Sequence, residues 1–483
     1  MQDYITNEST IIFSPYYNKS VDSNLLLTYN KIIFSNYELN ENLFLKYSNN
    51  DFIDLKCSNS IFDQKIKLTP NITLITFGSY FNQLVELPPN ITHLTFGRYF
   101  NKPVELPSSI VHLTFDGTFV QPVKLLPCIS NLIFGYPFNQ LIKLPKKLTH
   151  LTHLTFGNFF DQLIKLPENI THLTFGISFN KPIELPPNLT LINFGHCFNQ
   201  PIKLSPNITQ LTFGDFFDQP IELPPNLTHI TFGHCFNQPI ELPPNLTHIT
   251  FGHHFNQPIE LSPNLTHITF GHCFNQPIEL SPNLTLINFG GYFNQPIELS
   301  PNLTHITFGY CFNQPIELSP NLTHITFGDC FNQPIELSPN ITHLTFGSYF
   351  NQQIKLPEKI THLTFGSYFN QQIKLPEKIT HLTFDSCFNQ PIVLPEKLTY
   401  LTFGEYFNQK VDLPFGIKYL KLCNDKAHNL DYLPVGIEIL ELGKFFDSSL
   451  NNLPNSLLII KLHRYYKGSL KCIPSNTKIV YIE

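Results

Sequence analysis

The stretch Leu227–Asn245, which reads LTHITFGHCFNQPIELPPN, decides the fold of this 483-residue chain. Its first Phe recurs from Phe77 to Phe403 at a spacing of 19 residues, except between Phe134 and Phe156, where the spacing is 22. A second Phe follows four residues after each of these, so the 18 copies hold 36 of the 46 Phe in the chain. A fixed short period of this kind predicts a stack of similar units.

The first half of the unit has the alternation of a strand. Leu227, Ile230 and Phe232 fall on one side, and His229 and Thr231 fall on the other. A period of two residues is typical of a strand with one buried face. We therefore expect the apolar side to enter a core and the His/Thr side to face outward.

A Gly follows the strand in nearly every unit, as Gly233 does here, and Asp116 or Asp385 replaces it in two units. Gly adopts positive φ readily, and Asp does so less readily. The pattern therefore predicts that each strand ends in a left-handed backbone position.

The second half of the unit contains Pro239, which has no N–H to donate to a sheet. An extended or polyproline-like return, tied at one or two points, fits this half better than a strand. Since one unit cannot bury its own apolar face, identical units must stack on one another. The predicted fold is an all-β solenoid of about 19 residues per coil with no substantial helix.

The regularity fades toward both ends of the chain. We assign residues 56–410 to the repeat solenoid and residues 411–483 to degenerate 20-residue repeats with a C-terminal cap. Residues 1–55 are predicted to form an N-terminal cap or degenerate repeats, with strands at Ile11–Phe13 and Ile32–Phe34. Caps that differ from the central repeats are typical of solenoids.

Charge and composition narrow the class of protein. The formal net charge is −6, and charged residues make up only 14% of the chain. The sequence has no cluster of Lys and Arg residues, so binding to nucleic acid or to an anionic membrane is disfavoured. No stretch approaches the length of an apolar membrane span, and the ten Cys form no close pairs. We expect a soluble, intracellular monomer with free thiols.

The unit Leu227–Asn245 closely resembles FNIP repeats, which are abundant in social amoebae and in giant DNA viruses of amoebae. The resemblance covers roughly residues 55 to 410. It implies a curved, leucine-rich-repeat-like solenoid that binds proteins, in the host cytoplasm if the chain is viral. Some members carry an N-terminal F-box and would act as substrate receptors of ubiquitin ligases. Residues 1 to 55 show strand-like runs instead of that helical pattern.

Twelve His occupy the third position of the unit, on the outward and, we expect, concave face beside a column of Thr. Stacked His could bind metal or act as a pH switch, or they could simply be copies within a duplicated unit. The candidate binding face comprises His229, Thr231, His234, His248, Thr250, His253, His267, Thr269 and His272.

A cluster of metal-ligand types is the second candidate. It comprises Cys235, His253, His254, His272 and Cys273. Imidazole and thiolate are ligands that Zn²⁺ prefers. Because the Cys column continues elsewhere without the His, a structural or incidental role is the alternative, and we expect neither a bound metal nor a cofactor.

Two further columns follow the strand. The Asn column, which includes Asn237 and Asn256, is predicted to bond neighbouring amides and the backbone turn, with Asp161 and Asp218 keeping an acceptor. The two positions after Gly, which we call the rim, vary most between units, as with Arg98, Tyr310 or Glu405. The rim is either a partner surface or the site of neutral drift.

Nothing in the sequence supports catalysis. Glu side chains recur at one outward phase, as Glu222 and Glu241 do, which is typical of a solvated face and not of an acid/base pair. No phosphate-binding loop or nucleophile elbow is present. We predict a non-catalytic scaffold that binds an unidentified protein. The alternatives are a ubiquitin-ligase substrate receptor and a passive structural or virion component.

Overall fold

The computed structural model describes residues 3–39, 43, 59–117, 119–136, 138–424, 433–446 and 450–482. The described residues form short strands joined by turns and extended segments, with one helix of six residues and a helical residue at Leu43. The chain divides into two compact units, Met1–Pro243 and Pro244–Glu483. Both units are built from the same repeated coil.

The N-terminal unit holds twelve strands and the helix. They are β1 (Tyr4–Thr6), β2 (Thr10–Phe13), α1 (Ser23–Thr28), β3 (Lys31–Phe34), β4 (Leu74–Thr76), β5 (His93–Phe96), β6 (His112–Phe115), β7 (Asn131–Phe134), β8 (His153–Phe156), β9 (His172–Thr174), β10 (Leu191–Asn193), β11 (Gln210–Thr212) and β12 (His229–Thr231).

The C-terminal unit holds thirteen strands. They are β13 (His248–Thr250), β14 (His267–Thr269), β15 (Leu286–Asn288), β16 (His305–Thr307), β17 (His324–Thr326), β18 (His343–Thr345), β19 (His362–Phe365), β20 (His381–Phe384), β21 (Tyr400–Phe403), β22 (Tyr419–Asn424), β23 (Ile439–Phe445), β24 (Ile459–His463) and β25 (Lys478–Ile482).

Within each unit the repeat strands pair in parallel with their sequence neighbours and in register. In the pair β16 and β17, His305 lies beside His324 and Ile306 lies beside Ile325. Because every coil contributes its strand at the same phase, identical side chains form columns that run across the coils. The predicted all-β solenoid is confirmed.

The N-terminal strands join the same ladder. Ile11 of β2 pairs with Ile32 of β3, which pairs in turn with Ile75 of β4, so the two predicted early strands are confirmed. β1 runs antiparallel to β2, with Ile5 beside Ile12. The predicted boundary at residue 55 lies outside the described residues, and the division into caps and solenoid stays a prediction.

The helix α1 is short and locally capped. The side chain of Asp22 accepts a hydrogen bond of 2.9 Å from the Asn24 N–H, which satisfies one of the free donors of the first turn. Throughout the described part of the chain, no helix is both long and apolar enough to cross a membrane.

The two Phe of each unit form the centre of the core. Phe308 and Phe312 stack within one coil with ring centroids 3.9 Å apart, and Phe308 lies 5.6 Å from Phe327 of the next coil. Phe312 is completely buried. Since burying a Phe side chain contributes about 2 to 3 kcal/mol, each coil adds apolar stabilisation that depends on its neighbours.

The return segment is extended and tied by side chains, as predicted. Residues 313–319 form no strand. The Oδ1 of Asn313 accepts a hydrogen bond of 2.9 Å from the Asn332 N–H in the next coil, and it also accepts one of 3.3 Å from Gln333. Where Asp218 replaces Asn, its Oδ1 accepts from the Asn237 N–H at 2.9 Å. The structural role predicted for the Asn column is confirmed.

The predicted left-handed position after the strand is wrong. No described Gly has positive φ, and the one described non-Gly residue that does is Asn452, with φ 59°. A Cβ on Gly233 would collide with the backbone of Gly214 and would lie 2.5 Å from the Cα of Asp215 in the preceding coil. Gly is therefore favoured because successive coils approach closely there.

The two Asp that replace this Gly each make one further backbone hydrogen bond to the strand of the preceding coil. The N–H of Asp116 donates to the Phe96 carbonyl at 2.9 Å, and the N–H of Asp385 donates to the Phe365 carbonyl at 3.1 Å. The N–H of Gly135 donates in the same way to the Phe115 carbonyl at 2.7 Å, so this bond extends the strand pairing in these coils whether or not a Cβ is present.

Candidate functional site

The outward residues of the strands form what we call the His/Thr face. In the N-terminal unit the face includes His229 and Thr231 of β12, both exposed. In the C-terminal unit, His248 and Thr250 of β13, like His267 and Thr269 of β14, are half-buried while the Ile between them is buried. These six predicted members lie on the strands with their side chains on the outward face.

The other three predicted members occupy a different place. His234, His253 and His272 lie in the turn that follows the Gly, on the rim. His234 belongs to the N-terminal unit, and the other two belong to the C-terminal unit. The predicted face is therefore two columns, one on the strands and one on the rim.

The strand His stack into a ladder. Across β16 to β20 the ring centroids of consecutive His are 4.2 Å apart, with planes inclined by 12° to 14°. The five members are His305, His324, His343, His362 and His381. His93 and His112 repeat the stack in the N-terminal unit, also at 4.2 Å. Parallel register produces this spacing directly.

A hydrogen bond orients each of these His rings. The hydroxyl oxygen of Thr323 lies 2.9 Å from Nδ1 of His324 and 3.1 Å from the Thr304 carbonyl oxygen. A hydroxyl can donate to Nδ1 or accept from Nδ1–H, so this contact holds the ring at Nδ1 in either tautomer.

The middle of the ladder favours neutral rings. Burial is the largest cause that lowers the pKa of His324, His343 and His362, and neighbouring His lower it further. Both causes disfavour a charged imidazolium. The neutral imidazole is therefore favoured at these three positions.

The stacked rings are poorly arranged for a metal. Zinc draws its nitrogen ligands to about 2.0 Å, with lone pairs that converge on one point. Rings such as His324 and His343, stacked 12° from parallel, direct their lone pairs side by side. The geometry of the ladder favours a contact surface over a chelating site.

The predicted zinc cluster is only partly assembled within the C-terminal unit. Cys235 lies in the N-terminal unit. Sγ of Cys273 lies 3.6 Å from Nδ1 of His253, which is about the separation of an S and an N ligand on one tetrahedral zinc. The rings of His254 and His272 have centroids 4.8 and 4.9 Å from that of His253. Zinc binding stays a hypothesis, which a zinc titration followed by melting temperature tests.

The rim of the C-terminal unit holds a groove that the sequence did not reveal. It is lined by ten residues, among them Tyr349, Tyr368 and Tyr406. The sequence indicates Tyr310 and Glu405 as variable rim positions, but it does not predict that they lie in one groove with these tyrosines. The available signal was the recurrence of Tyr at the second rim position in nearby units.

Comparisons with known proteins identify the repeat. The family model described as FNIP Repeat matches residues 85–118 and, in adjoining and overlapping copies, residues 160–425, which together exceed half of the chain. No curated protein matches the chain.

Two solved structures share the fold. CroV588, a giant-virus protein described as a novel circular leucine-rich-repeat structure, is 31% identical with a TM-score of 0.63, and the match covers 100% of both chains. YopM from Yersinia enterocolitica is 20% identical with a TM-score of 0.56, and the match covers 89% of this chain and 91% of YopM. The architecture is thus that of a leucine-rich-repeat type scaffold.

Proposed function

Because the chain belongs to the FNIP repeat family, we propose that it is a non-catalytic scaffold that binds a protein partner through the His/Thr face. The observation that carries this proposal is the uninterrupted ladder from His305 to His381. Repeat scaffolds of this kind present extended surfaces to partners. Such a regular outward face suits a partner that contacts several coils at once.

The hydrogen bonds within the face support a role in recognition. The Thr hydroxyls that precede the His are used to fix the imidazoles, as Thr342 fixes His343. Rings held in one orientation lose less conformational freedom when a partner binds. We place the partner in the cytoplasm of an infected host cell if the chain is viral, a setting that the similarity to a giant-virus protein supports.

Neither alternative gains a specific observation. The described residues 3–39 hold three strands and the six-residue α1, and Leu43 is helical; none of these carries a specific observation for an F-box. A passive structural role predicts no selective partner, so the binding experiment below separates it from the scaffold role.

The test is a quantitative pull-down from amoebal lysate with wild-type chain and a variant carrying His324→Ser, His343→Ser and His362→Ser. A matched control carries Glu298→Gln, Glu317→Gln and Glu336→Gln at exposed positions of the same unit. We expect the His variant, and not the Glu variant, to lose the proteins that wild type retains. Identical retained proteins for all three would refute the His/Thr face as the binding surface.

A further inference from the structure

A groove of about 450 Å³ follows the rim of the C-terminal unit over six coils. It is lined by Tyr310, Asp329, Ser348, Tyr349, Ser367, Tyr368, Ser386, Cys387, Glu405 and Tyr406. Neither Lys nor Arg is among these ten residues. The lining of the groove therefore combines aromatic rings with carboxylates and contains no basic side chain.

The aromatic rings of the groove are open to a ligand. Tyr310, Tyr349, Tyr368 and Tyr406 are 51%, 46%, 52% and 61% exposed. Tyr349 and Tyr368 stack with centroids 5.2 Å apart and planes inclined by 11°. The stacked pair covers one face of each ring, and the exposed parts of the Tyr rings are the electron-rich surface to which cations are attracted.

The carboxylate of Asp329 is held in place by Ser348. Oδ1 of Asp329 accepts hydrogen bonds from the N–H and the hydroxyl of Ser348, at 3.1 and 3.0 Å. The pKa of Tyr310 is raised by the neighbouring Cys330 and Tyr349, by burial and by Asp329. Of these neighbours only Asp329 is charged at neutral pH, and its carboxylate favours a nearby positive charge.

The N-terminal unit shows what fills a tyrosine-bearing rim. The guanidinium carbon of Arg98 lies 5.7 Å from the ring centroid of Tyr99 and 6.0 Å from that of Tyr136. The chain has one other Arg, Arg464, which lies 5.0 Å from the centroid of Tyr465. Both arginines of the chain thus lie over tyrosine rings.

The C-terminal groove has the rings without the guanidinium. Arg98 is the residue after Gly97, and the equivalent residue beside Tyr349 is Ser348, which follows Gly347. The position that Arg98 fills in one unit is therefore occupied in the other by a side chain too short to cover the ring.

We propose that the groove from Tyr310 to Tyr406 binds an extended, arginine-containing segment of a partner protein. Guanidinium groups stack on the tyrosine rings and donate to the carboxylate of Asp329. Five steps between coils span about 24 Å, which matches about seven residues of extended chain. The proposal rests on the scaffold role for its choice of a protein ligand, but it does not use the His/Thr face.

The first experiment measures fluorescence anisotropy of labelled nine-residue peptides with the full-length chain at low ionic strength. One peptide carries Arg at alternate positions among Gly and Ser, and two others carry Lys or Glu at those positions. We expect the Arg peptide to bind most tightly, the Lys peptide more weakly and the Glu peptide not at all, with affinity falling as salt is added. Equal affinity for the Arg and Lys peptides would overturn the guanidinium assignment.

Two variants test the location. Ser348→Arg supplies the chain's own guanidinium and is expected to weaken binding of the Arg peptide by about tenfold, and the pair Tyr349→Ser with Tyr368→Ser by about the same factor. Tyr80→Ser is the matched control, since Tyr80 also follows Gly-Ser on the rim but lies in the N-terminal unit. Melting temperatures within error of wild type show that each variant folds.

The proposal is overturned if both groove variants retain wild-type affinity or if the Arg peptide does not bind. The His324, His343 and His362 variant separates the two proposals. This variant should bind the Arg peptide as wild type does, because the groove does not use the His/Thr face. The groove variants should lose peptide binding whether or not the His/Thr face binds a partner.

Discussion

The imidazole rings of His324 and His343 stack with centroids 4.2 Å apart and planes inclined by 12°. Each ring is fixed at Nδ1 by the Thr that precedes it, at 2.9 Å in both cases. Protonation of both rings would place two positive charges face to face. Acid is expected to oppose the folded state.

The free energy of unfolding should consequently decrease as the pH is lowered. Burial and neighbouring His lower the folded pKa of His324, His343 and His362 below the unfolded value of about 6.5, so the unfolded chain binds more protons as the pH drops. The stabilising difference is present above that pH and is lost as the pH falls through the lowered values. Thermal melts between pH ~7.5 and ~5.5 should show a falling melting temperature.

A matched pair of variants assigns this pH effect. His343→Gln should reduce the slope of melting temperature against pH, since Gln already occupies this strand position at Gln210. His254→Gln, on the rim, serves as control and should leave the slope as in wild type. A wild-type melting temperature that is constant over this range would contradict the prediction.

Gly328→Ala should destabilise the chain because coils approach closely after the strand. An added Cβ would collide with the backbone carbonyl of Gly309 and lie 2.9 Å from the Cα of Tyr310. We expect a loss of about 2 kcal/mol or more in the free energy of unfolding. Gly416→Ala is the control, since its nearest atom, the Leu398 carbonyl oxygen, is 3.4 Å away. Equal denaturant midpoints for the two variants would show that close approach is not the reason for Gly.

The Asn column allows a test that separates acceptor from amide. Oδ1 of Asn332 accepts from the Asn351 N–H at 2.9 Å and from Gln352 at 3.2 Å. Asn332→Ala leaves that backbone donor without its partner and should cost about 1 to 3 kcal/mol. Asn332→Asp keeps the oxygen, as Asp218 does, and should stay close to wild type. If urea unfolding shows the Asp variant to be as unstable as the Ala variant, the acceptor is not what matters.

The repeat made the fold predictable, because one alternation, in which Ile230 and Phe232 are buried between outward His229 and Thr231, sets the buried face of nearly every coil. Gly233 was correctly singled out but for the wrong reason, since positive φ and close backbone approach both select Gly and only coordinates separate them. The Thr–His hydrogen bonds could not be predicted from the sequence, because the spacing of residues does not specify how the Thr hydroxyl is oriented.

The sequence indicates only part of the rim groove, through the recurrence of Tyr at the second rim position. Tyr310 occupies the first rim position, whereas Tyr349 and Tyr406 occupy the second, so a column-by-column comparison keeps them apart. The structure brings both positions into one groove. Whether the first and second rim positions line one groove depends on the conformation of the turn, which the period of the repeat does not specify.

The degenerate coils near the C-terminus hold a buried ionic cluster. Glu441, only 8% exposed, accepts from Nζ of Lys421 at 2.8 Å, from Nζ of Lys461 at 3.0 Å and from the hydroxyl of Tyr419 at 2.9 Å. Burial alone raises the pKa of Glu441, but these hydrogen bonds outweigh burial and the pKa is lowered. The cluster is therefore stabilising above the ordinary carboxyl pKa and loses that contribution as the pH falls below it.

Removing this carboxylate should cost far more than removing an exposed one. Glu441→Ala leaves two ammonium groups close together and partly buried, and we expect a loss of about 3 kcal/mol in the free energy of unfolding. Glu438→Ala is the matched control, because Glu438 pairs with Lys418 at 2.8 Å on the surface and should contribute less than about 1 kcal/mol. Denaturant unfolding at neutral pH compares the two. Equal losses would mean that the Glu441 cluster acts as a surface pair, since only a desolvated carboxylate leaves its partners with an uncompensated buried charge.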